Sequence, residues 1–358
     1  MRARERELAG RRRAVRRRRL LAVGLLACTV AAIALSVALA GGRATSRPGR
    51  ASGTAQRKTA SAKGRATAKS PLSSFAVGLR VLRLIDTSRS IELPNGASEP
   101  RTLLTYVRYP ALGSPGRTDL LNAPAASGDG PFPLVIFGHG FAVTPALYAR
   151  MLQSWARAGY VVAAPVFPLE NADAPGGPDE SDLVNQPADM SFVISQMLAA
   201  SHAGAGPFAG LIDPAQIAVA GHSDGGDTAL AVAYDSTFRD PRVRAAVILS
   251  GAEIPGVGGF TFPPGGPPLL ATQGTADTVN PPSATNAFFD ASHRPKYLLS
   301  LIGAEHLPPY SHQQPQLAIV ERVTIAFLDG YLKHRPGALA RLVSLGNVPG
   351  AATLVAEP

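Results

Sequence analysis

The chain has little of several features on which whole classes of protein depend. It holds one cysteine and one tryptophan in 358 residues, and only 17% of its residues are charged. The single Cys28 excludes an internal disulfide, so cysteine pairing says nothing about the redox compartment. The chain also has no internal repeat, which excludes a repeat architecture. With 46% hydrophobic residues, it has the composition of a globular protein that can bury a large core.

Positive charge is scarce in most of the chain. Residues 1–70 hold 18 of the 35 Lys and Arg residues and 2 of the 25 acids, so from position 71 onward 17 basic residues face 23 acids. The overall charge of +10 therefore comes from the N-terminal segment. Because the rest is acidic and has no basic stripe with interleaved aromatics, we expect no nucleic acid partner.

The N-terminal segment combines arginines with a charge-free run. Residues 1–19 are rich in arginine, and we expect them to form a basic cytoplasmic segment. Residues 20–40 are 21 positions without a charged residue, enough to span a bilayer. Since arginines hold the N-terminus in the cytoplasm, we expect a single-pass transmembrane helix with the following domain outside the membrane. A signal peptide cleaved after Ala40 is the alternative, because residues 38–40 have the small-x-small form of a cleavage site.

Residues 41–70 contain no aromatic and no large aliphatic residue, which predicts a disordered basic linker. From about position 71 to 335, short apolar runs alternate with helical patterns. This pattern predicts a doubly wound, mostly parallel sheet with helices on both faces, opened by antiparallel strands near residues 76–85 and 102–109. Residues 336–358 are rich in small residues, and we expect a C-terminal tail there.

One strand-to-helix junction carries a candidate nucleophile. Residues 217–220 are apolar and β-branched, residues 227–234 favour helix, and GHSDG lies between them at positions 221–225. A sharp turn at Ser223 would bring any Cβ two residues before or after it into collision, so glycine is needed at both places. The spacing predicts a nucleophile elbow.

Two further residues complete a catalytic triad. Asp277 and then His306 follow at the ends of later predicted strands, which gives the order Ser, Asp, His. A serine hydroxyl needs such a base and orienting acid to become nucleophilic. The alternatives are an Asp277 that only caps its turn, and His312 in place of His306 as the base.

An oxyanion hole requires two backbone N–H donors near the serine. We expect one from Asp224 and one from Phe141, in the GHGF loop at positions 138–141. His139 is expected to order that loop, and His222 to pack under the elbow. The candidate pocket residues are Phe141, His222, Phe260 and Phe262.

The sequences VIFGHGF (135–141), AVAGHSDGG (218–226), GTAD (274–277) and EH (305–306) resemble those of the α/β-hydrolase superfamily, from about residue 75 to 333. Within that superfamily, the chain is similar to the group that contains dienelactone hydrolases, platelet-activating-factor acetylhydrolase-like and chlorophyllase-like esterases, and cutinase-like polyester hydrolases. It implies the α/β-hydrolase fold without a large cap domain, and serine esterase chemistry with no metal and no cofactor. Cutinase-like members usually carry Met where this chain has Asp224, which leaves the substrate open.

The resemblance implies a hydrolase of small-molecule or lipid esters, and the predicted transmembrane helix places it outside the cytoplasm. An acyltransferase with the same triad and a non-catalytic binding protein are the alternatives. Without a cap, we expect short to medium acyl chains. The loop at residues 167–186 holds five acids that should disfavour anionic substrates, namely Glu170, Asp173, Asp179, Glu180 and Asp182.

Overall fold

The structure is a computed structural model that describes residues 74–254, 256–257 and 260–358. The predicted basic segment, transmembrane helix and linker at residues 1–70 lie outside these residues. Among the residues described, no helix is long and apolar enough to cross a membrane.

Within the described residues, ten strands form one mixed sheet in the order β10-β9-β8-β7-β6-β4-β5-β2-β1-β3. The six adjacent strands from β9 to β5 are parallel to one another. The pairs β10–β9, β5–β2 and β2–β1 are antiparallel, and the two-residue β3 pairs parallel with β1. The antiparallel opening and the mostly parallel centre predicted from the sequence are therefore confirmed. The strands are β1 Ala76–Glu92, β2 Ser98–Ala111, β3 Leu120–Leu121, β4 Phe132–Gly138, β5 Val161–Val166, β6 Ile212–His222, β7 Val243–Leu249, β8 Leu269–Gly274, β9 Lys296–Leu301 and β10 Ala352–Glu357.

Helices connect the parallel strands. In chain order, the α-helices of the described residues are α1 Ala149–Arg157, α2 Gln186–His202, α3 Asp224–Tyr234, α4 Pro282–Ala291, α5 Pro308–Ser311, α6 Gln316–Tyr331 and α7 Ala338–Gly346. Short 3₁₀ turns cover Ser127–Asp129, Pro145–Tyr148 and Glu180–Asn185. The 3₁₀ turn Pro145–Tyr148 leads directly into α1, and Thr144, which precedes it, makes no side-chain capping bond.

Helices cover both faces of the sheet. Every residue of β4 is buried, and successive side chains point to opposite faces. Leu134 and Ile136 pack in one cluster with Met190 of α2. Phe137 points the other way, with its ring centroid 6.1 Å from that of Trp155 in α1. The core is therefore two-sided, which explains why β4 reads as a continuous apolar run.

The prediction of a C-terminal tail at residues 336–358 is wrong, because this segment folds as part of the domain. Residues 338–346 form α7, and β10 adds an antiparallel edge strand beside β9. Because an edge strand is held by backbone pairing and buries few side chains, its small residues gave no apolar pattern to detect. The folded domain thus extends past position 335 to β10.

Each motif of interest follows a parallel strand at its carboxyl end. Gly140 comes after β4, Ser223 after β6, Asp277 after β8 and His306 after β9. The carboxyl ends of parallel strands meet at one edge of a sheet, where open α/β sheets bind ligands. The topology thus brings these segments together.

Candidate active site

Ser223 occupies a strained turn between β6 and α3. Its φ is 55° and its ψ is −122°, a left-handed conformation that costs energy for any residue with a side chain. A Cβ on Gly221 would overlap the carbonyl of Gly225, and a Cβ on Gly225 would overlap the backbone of Gly138. Glycine is therefore required two residues before and after the serine, as the sequence predicts.

The three candidate catalytic side chains are in hydrogen-bond contact. His306 Nε2 lies 2.9 Å from Ser223 Oγ, and His306 Nδ1 lies 2.7 Å from Asp277 Oδ2. A carboxylate only accepts, so Nδ1 carries the proton and Nε2 is free to accept from the serine hydroxyl. His312 instead contacts Ser311 and is exposed.

Asp277 is held by its own turn. Its Oδ1 accepts the backbone N–H groups of Val279 at 2.9 Å and Asn280 at 3.0 Å. Asp277 thus caps its own turn with Oδ1 and contacts His306 with Oδ2. It can serve both as a turn cap and as a member of the triad. Ser223 itself is 6% exposed.

His222 links the oxyanion loop to the His306 loop. Its Nε2 lies 3.0 Å from the carbonyl of His306, which only accepts, so Nε2 carries the proton. Its Nδ1 must then accept from the hydroxyl of Tyr148 at 2.8 Å, and the oxygen of Tyr148 accepts the N–H of Gly140 at 3.4 Å. Burial lowers the pKa of His222 well below its usual value, which keeps the ring neutral. His222 packs under the elbow and does not line a pocket.

His139 orders the oxyanion loop. Its Nε2 accepts the N–H of Phe167 at 3.0 Å, and its Nδ1 donates to the carbonyl of Gly140 at 2.8 Å. Burial lowers the pKa of His139 to about 4, so the ring is neutral and both bonds hold at neutral pH.

The two proposed oxyanion donors lie on adjacent segments. Gly140 approaches the elbow so closely that a Cβ there would lie 3.1 Å from Ser223 Cβ. Phe141 follows and is partly exposed, while Asp224 opens α3, where the first N–H groups of a helix point outward. Their roles as donors stay predictions.

Phe260 and Phe262 do not form the predicted pocket wall. Phe262 is buried, with its ring centroid 5.0 Å from that of Tyr234, and Phe260 packs 6.0 Å from Phe262. Tyr234 ends α3, whose 11 residues put it about 16 Å from the elbow. Both rings therefore belong to the core at the end of α3 remote from Ser223.

The loop at residues 167–186 is also less anionic than its sequence suggests. Asp182 is buried and makes a bidentate ion pair with Arg101, at 2.8 and 2.7 Å. Arg101 also binds Asp189 of α2, at 2.7 and 2.6 Å. Glu170 is fully buried as well. These contacts anchor the loop to β2 and α2, and they leave Asp173, Asp179 and Glu180 as its solvent-accessible acids.

Sequence reasoning missed Tyr148 and misjudged Glu170. Tyr148 sits in a 3₁₀ turn and contacts His222 across 74 positions, a relation that no local pattern reveals. Glu170 stands in a polar, Pro-rich loop, where acids are usually solvated.

The chain is similar to known esterases. Residues 102–249 match the sequence model of the chlorophyllase family, a segment that includes Ser223 but ends before Asp277 and His306. A ferulic acid esterase from Streptomyces cinnamoneus has a similar structure, with a TM-score of 0.55, 22% sequence identity, and coverage of 76% of this chain and 94% of that one. No curated protein sequence matches the chain.

These comparisons confirm the resemblance predicted from the motifs, that is, an α/β-hydrolase-like serine esterase group. The match to the chlorophyllase family spans less than half of the chain, and 1077 chains of solved structures resemble the fold. The structural similarity therefore concerns the fold and does not identify the substrate.

Proposed function

We propose that this protein is a serine hydrolase that cleaves carboxylic esters through an acyl-enzyme on Ser223. The chlorophyllase-family match and the ferulic acid esterase fold indicate a carboxylic ester hydrolase. The serine mechanism rests on one observation above all, the 2.9 Å contact of Ser223 Oγ with a His306 ring whose other nitrogen meets Asp277 at 2.7 Å.

In the proposed acylation step, Ser223 Oγ attacks the ester carbonyl carbon while His306 Nε2 takes the hydroxyl proton. The carbonyl π-electrons move to oxygen, and the N–H groups of Phe141 and Asp224 stabilise the resulting oxyanion. The carbon–oxygen bond to the alcohol then breaks, and the leaving oxygen takes the proton from His306. Asp277 stabilises the imidazolium that exists between the two proton transfers.

Deacylation follows the same chemical steps, with water as the nucleophile. His306 accepts a proton from water as its oxygen attacks the acyl carbon, and it returns that proton to Ser223 Oγ as the acyl–serine bond breaks. The carboxylic acid leaves, and the serine hydroxyl is restored. An alcohol acceptor in place of water would give acyl transfer, which product analysis distinguishes.

The proposed substrates are neutral esters of short to medium acyl chain. Among the described residues, the segment between β5 and α2 holds only a 3₁₀ turn, so no helical cap encloses a long chain there. Asp173, Asp179 and Glu180 supply the negative charge expected to disfavour anionic substrates, an effect that salt would screen. This charge is smaller than the sequence suggested, because Glu170 and Asp182 are buried.

We also propose that residues 20–40 anchor the hydrolase domain outside the cytoplasm. The support is the charge-free run of 21 residues behind ten arginines. Membrane fractions should then contain the full-length chain, and protease added from outside should cut within residues 41–70. Mature protein found only in the medium, starting at position 41, would show secretion instead.

A fluorophosphonate probe tests the proposed chemistry, since it labels an activated serine covalently. The wild type should be labelled, and Ser223→Ala should lose both the label and esterase activity, with kcat lower by a factor of about 10⁴ or more. The substitution His312→Ala is the matched control for His306→Ala and should retain labelling. Labelling of the Ser223→Ala protein would refute the assignment.

A further inference from the structure

A buried glutamine lies against the turn that carries the candidate catalytic acid. Gln273 is near the end of β8, and Asp277 stands in the turn that follows this strand. The amide nitrogen Nε2 of Gln273 is 3.3 Å from Asp277 Oδ2, the oxygen that also contacts His306 Nδ1. Gln273 is 3% exposed, so solvent has little access to its amide. Gln273 therefore contacts the acid of the triad at the oxygen that faces the base.

The same amide nitrogen also contacts both ends of the turn. Nε2 lies 3.0 Å from the carbonyl of Gly274, where the turn begins, and 3.0 Å from the carbonyl of Asn280, where it ends. All three neighbours of Nε2 are acceptors, and an amide nitrogen has two hydrogens to share among them. One side chain thus holds the two ends of the turn and its carboxylate close together.

Thr285 of α4 determines which way the amide of Gln273 points. Its hydroxyl donates to Gln273 Oε1 at 2.6 Å, whereas its contact with the carbonyl of Gly251 is longer, at 3.4 Å. In a flipped amide, Oε1 would face three acceptors and could bond to none of them. The fully buried Thr285 hydroxyl therefore keeps the donor side of the amide toward Asp277.

The other hydrogen bonds of Asp277 do not tie its carboxylate to the sheet. Oδ1 accepts the N–H groups of Val279 and Asn280, which belong to the turn and move with it. His306 lies in the loop after β9. Gln273, in contrast, belongs to β8, which is paired with β7 on one side and β9 on the other. Its amide thus links the carboxylate of Asp277 to a central strand.

We propose that Gln273 is a positioning residue for ester hydrolysis, whose amide, oriented by Thr285, holds Asp277 Oδ2 toward His306 Nδ1. The inference rests on the function proposed above. Without this amide, the turn and its carboxylate lose their side-chain bond to β8, and the imidazole of His306 is less well aligned with the serine. Because the alignment of reacting groups supplies part of the rate, the chemical step should slow while substrate binding is preserved.

Kinetics of variants at the two positions test this role. Gln273→Met keeps a side chain of similar size and removes the donor, so kcat for a neutral p-nitrophenyl ester should fall by about 10- to 100-fold with little change in KM. Thr285→Val removes the hydroxyl and should lower kcat by a smaller factor, whereas Thr285→Ser keeps the hydroxyl and should stay near the wild type. A packing role alone would give the opposite order, because valine keeps the shape of threonine and serine lacks its methyl group.

Thr324→Val is the matched control. Thr324 is also a fully buried threonine, and its hydroxyl accepts the indole N–H of Trp155 at 2.8 Å. Its loss should destabilise the fold without changing kcat. The double variant Gln273→Met, Thr285→Val should be no slower than Gln273→Met alone, because both changes act through one amide.

A wild-type kcat in folded Gln273→Met would overturn the positioning role. Should that variant not fold, the Thr285 pair still decides, since a Thr285→Ser protein slower than Thr285→Val would also overturn it. Failure of the proposed function gives a different result. In that case the fluorophosphonate would not label the wild type, or would label Asp277→Asn as fast as the wild type.

Discussion

Tyr148 donates a hydrogen bond to Nδ1 of His222 across 2.8 Å, although the two residues are 74 positions apart in the chain. The bond is the middle member of a chain that runs from Gly140 N–H to the His306 carbonyl. A neutral histidine has one donor and one acceptor nitrogen, so all three hydrogen bonds donate in the same direction, from Gly140 toward His306. They therefore fix the ring orientation of His222.

The first prediction concerns Tyr148→Phe. The variant leaves His222 Nδ1 buried without a donor and removes the acceptor of Gly140 N–H, so unfolding free energy should fall by about 1–3 kcal/mol. Since the oxyanion loop and the His306 loop lose their common link, kcat should fall more than KM changes. Urea unfolding and steady-state kinetics measure the two effects.

Tyr106→Phe is the control for that substitution, because Tyr106 lies partly exposed on β2, remote from the elbow. Tyr106→Phe should leave the unfolding free energy and kcat near their wild-type values. Equal effects of the two substitutions would show that the hydrogen-bond chain does not contribute.

The second prediction is a pH dependence of stability. The pKa of His139 is about 4 in the folded protein, whereas the unfolded chain keeps it near 6.5. The unfolded state therefore takes up the proton first as pH falls, so this contribution to stability is complete above about pH 6.5 and is lost toward pH 4. Between these two pH values, the contribution of His139 to the free energy of unfolding changes by about 1.4 kcal/mol per pH unit.

His139→Gln isolates this contribution, since glutamine can accept from Phe167 N–H and donate to the Gly140 carbonyl without titrating. The slope of unfolding free energy against pH should be shallower in the variant between these limits. His293→Gln, at an exposed site, should leave the slope as in the wild type. If the slopes of wild type and His139→Gln coincide, His139 does not resist protonation.

The elbow and the order of the triad residues could be predicted from the sequence because both follow local rules. Gly221 is required by its contact with Gly225, and Gly225 by its contact with Gly138, but both have a fixed spacing from Ser223 that the sequence shows. Asp277 and His306 each follow a recognisable strand. The sequence therefore predicts which side chains share one edge of the sheet. It does not give their distances.

The remaining features depend on contacts that sequence patterns do not encode. Glu170 lies in a polar loop of the sequence, where an acid is expected to be solvated, but the fold buries it completely. Phe262 reads as a pocket residue until α3 places its partner Tyr234 far from the elbow. Likewise, β10 is recognisable only once β9 offers it an edge to pair with.

The third prediction concerns Gly225→Ala. A Cβ at this position would overlap the backbone of Gly138, which no side-chain movement relieves. We expect a loss of at least 1–3 kcal/mol, roughly the cost of overpacking, together with loss of fluorophosphonate labelling as the elbow shifts. Thermal unfolding and labelling of purified protein measure both.

Gly204→Ala provides the comparison, because nothing lies within 4 Å of a Cβ at that exposed site. Its unfolding temperature and labelling should match the wild type. A fully labelled Gly225→Ala protein would contradict the requirement for glycine in the elbow.

The fourth prediction concerns Arg101, which is 1% exposed and pairs with Asp182 and Asp189. In Arg101→Met, the buried carboxylates of Asp182 and Asp189 both lose the guanidinium of Arg101. Asp189 keeps an ion pair with Arg89 at 2.8 Å, whereas Asp182 has no other ion pair among the described residues. Since breaking a buried ion pair leaves an uncompensated charge, unfolding free energy should fall by about 3–5 kcal/mol. Because Asp182 lies in the loop at residues 167–186, the variant should also become more sensitive to proteolysis there.

Removing the orphaned charges should reverse most of this loss. The triple variant Arg101→Met, Asp182→Asn, Asp189→Asn replaces both carboxylates that paired with Arg101 by neutral amides, so it should recover stability that Arg101→Met alone lacks. Arg294→Met is the surface control, because its ion pair with Glu357 is exposed and should be worth about 1 kcal/mol or less. If the triple variant is no more stable than Arg101→Met, the loss comes from packing of the arginine side chain, and charge compensation is not what holds the loop to β2 and α2.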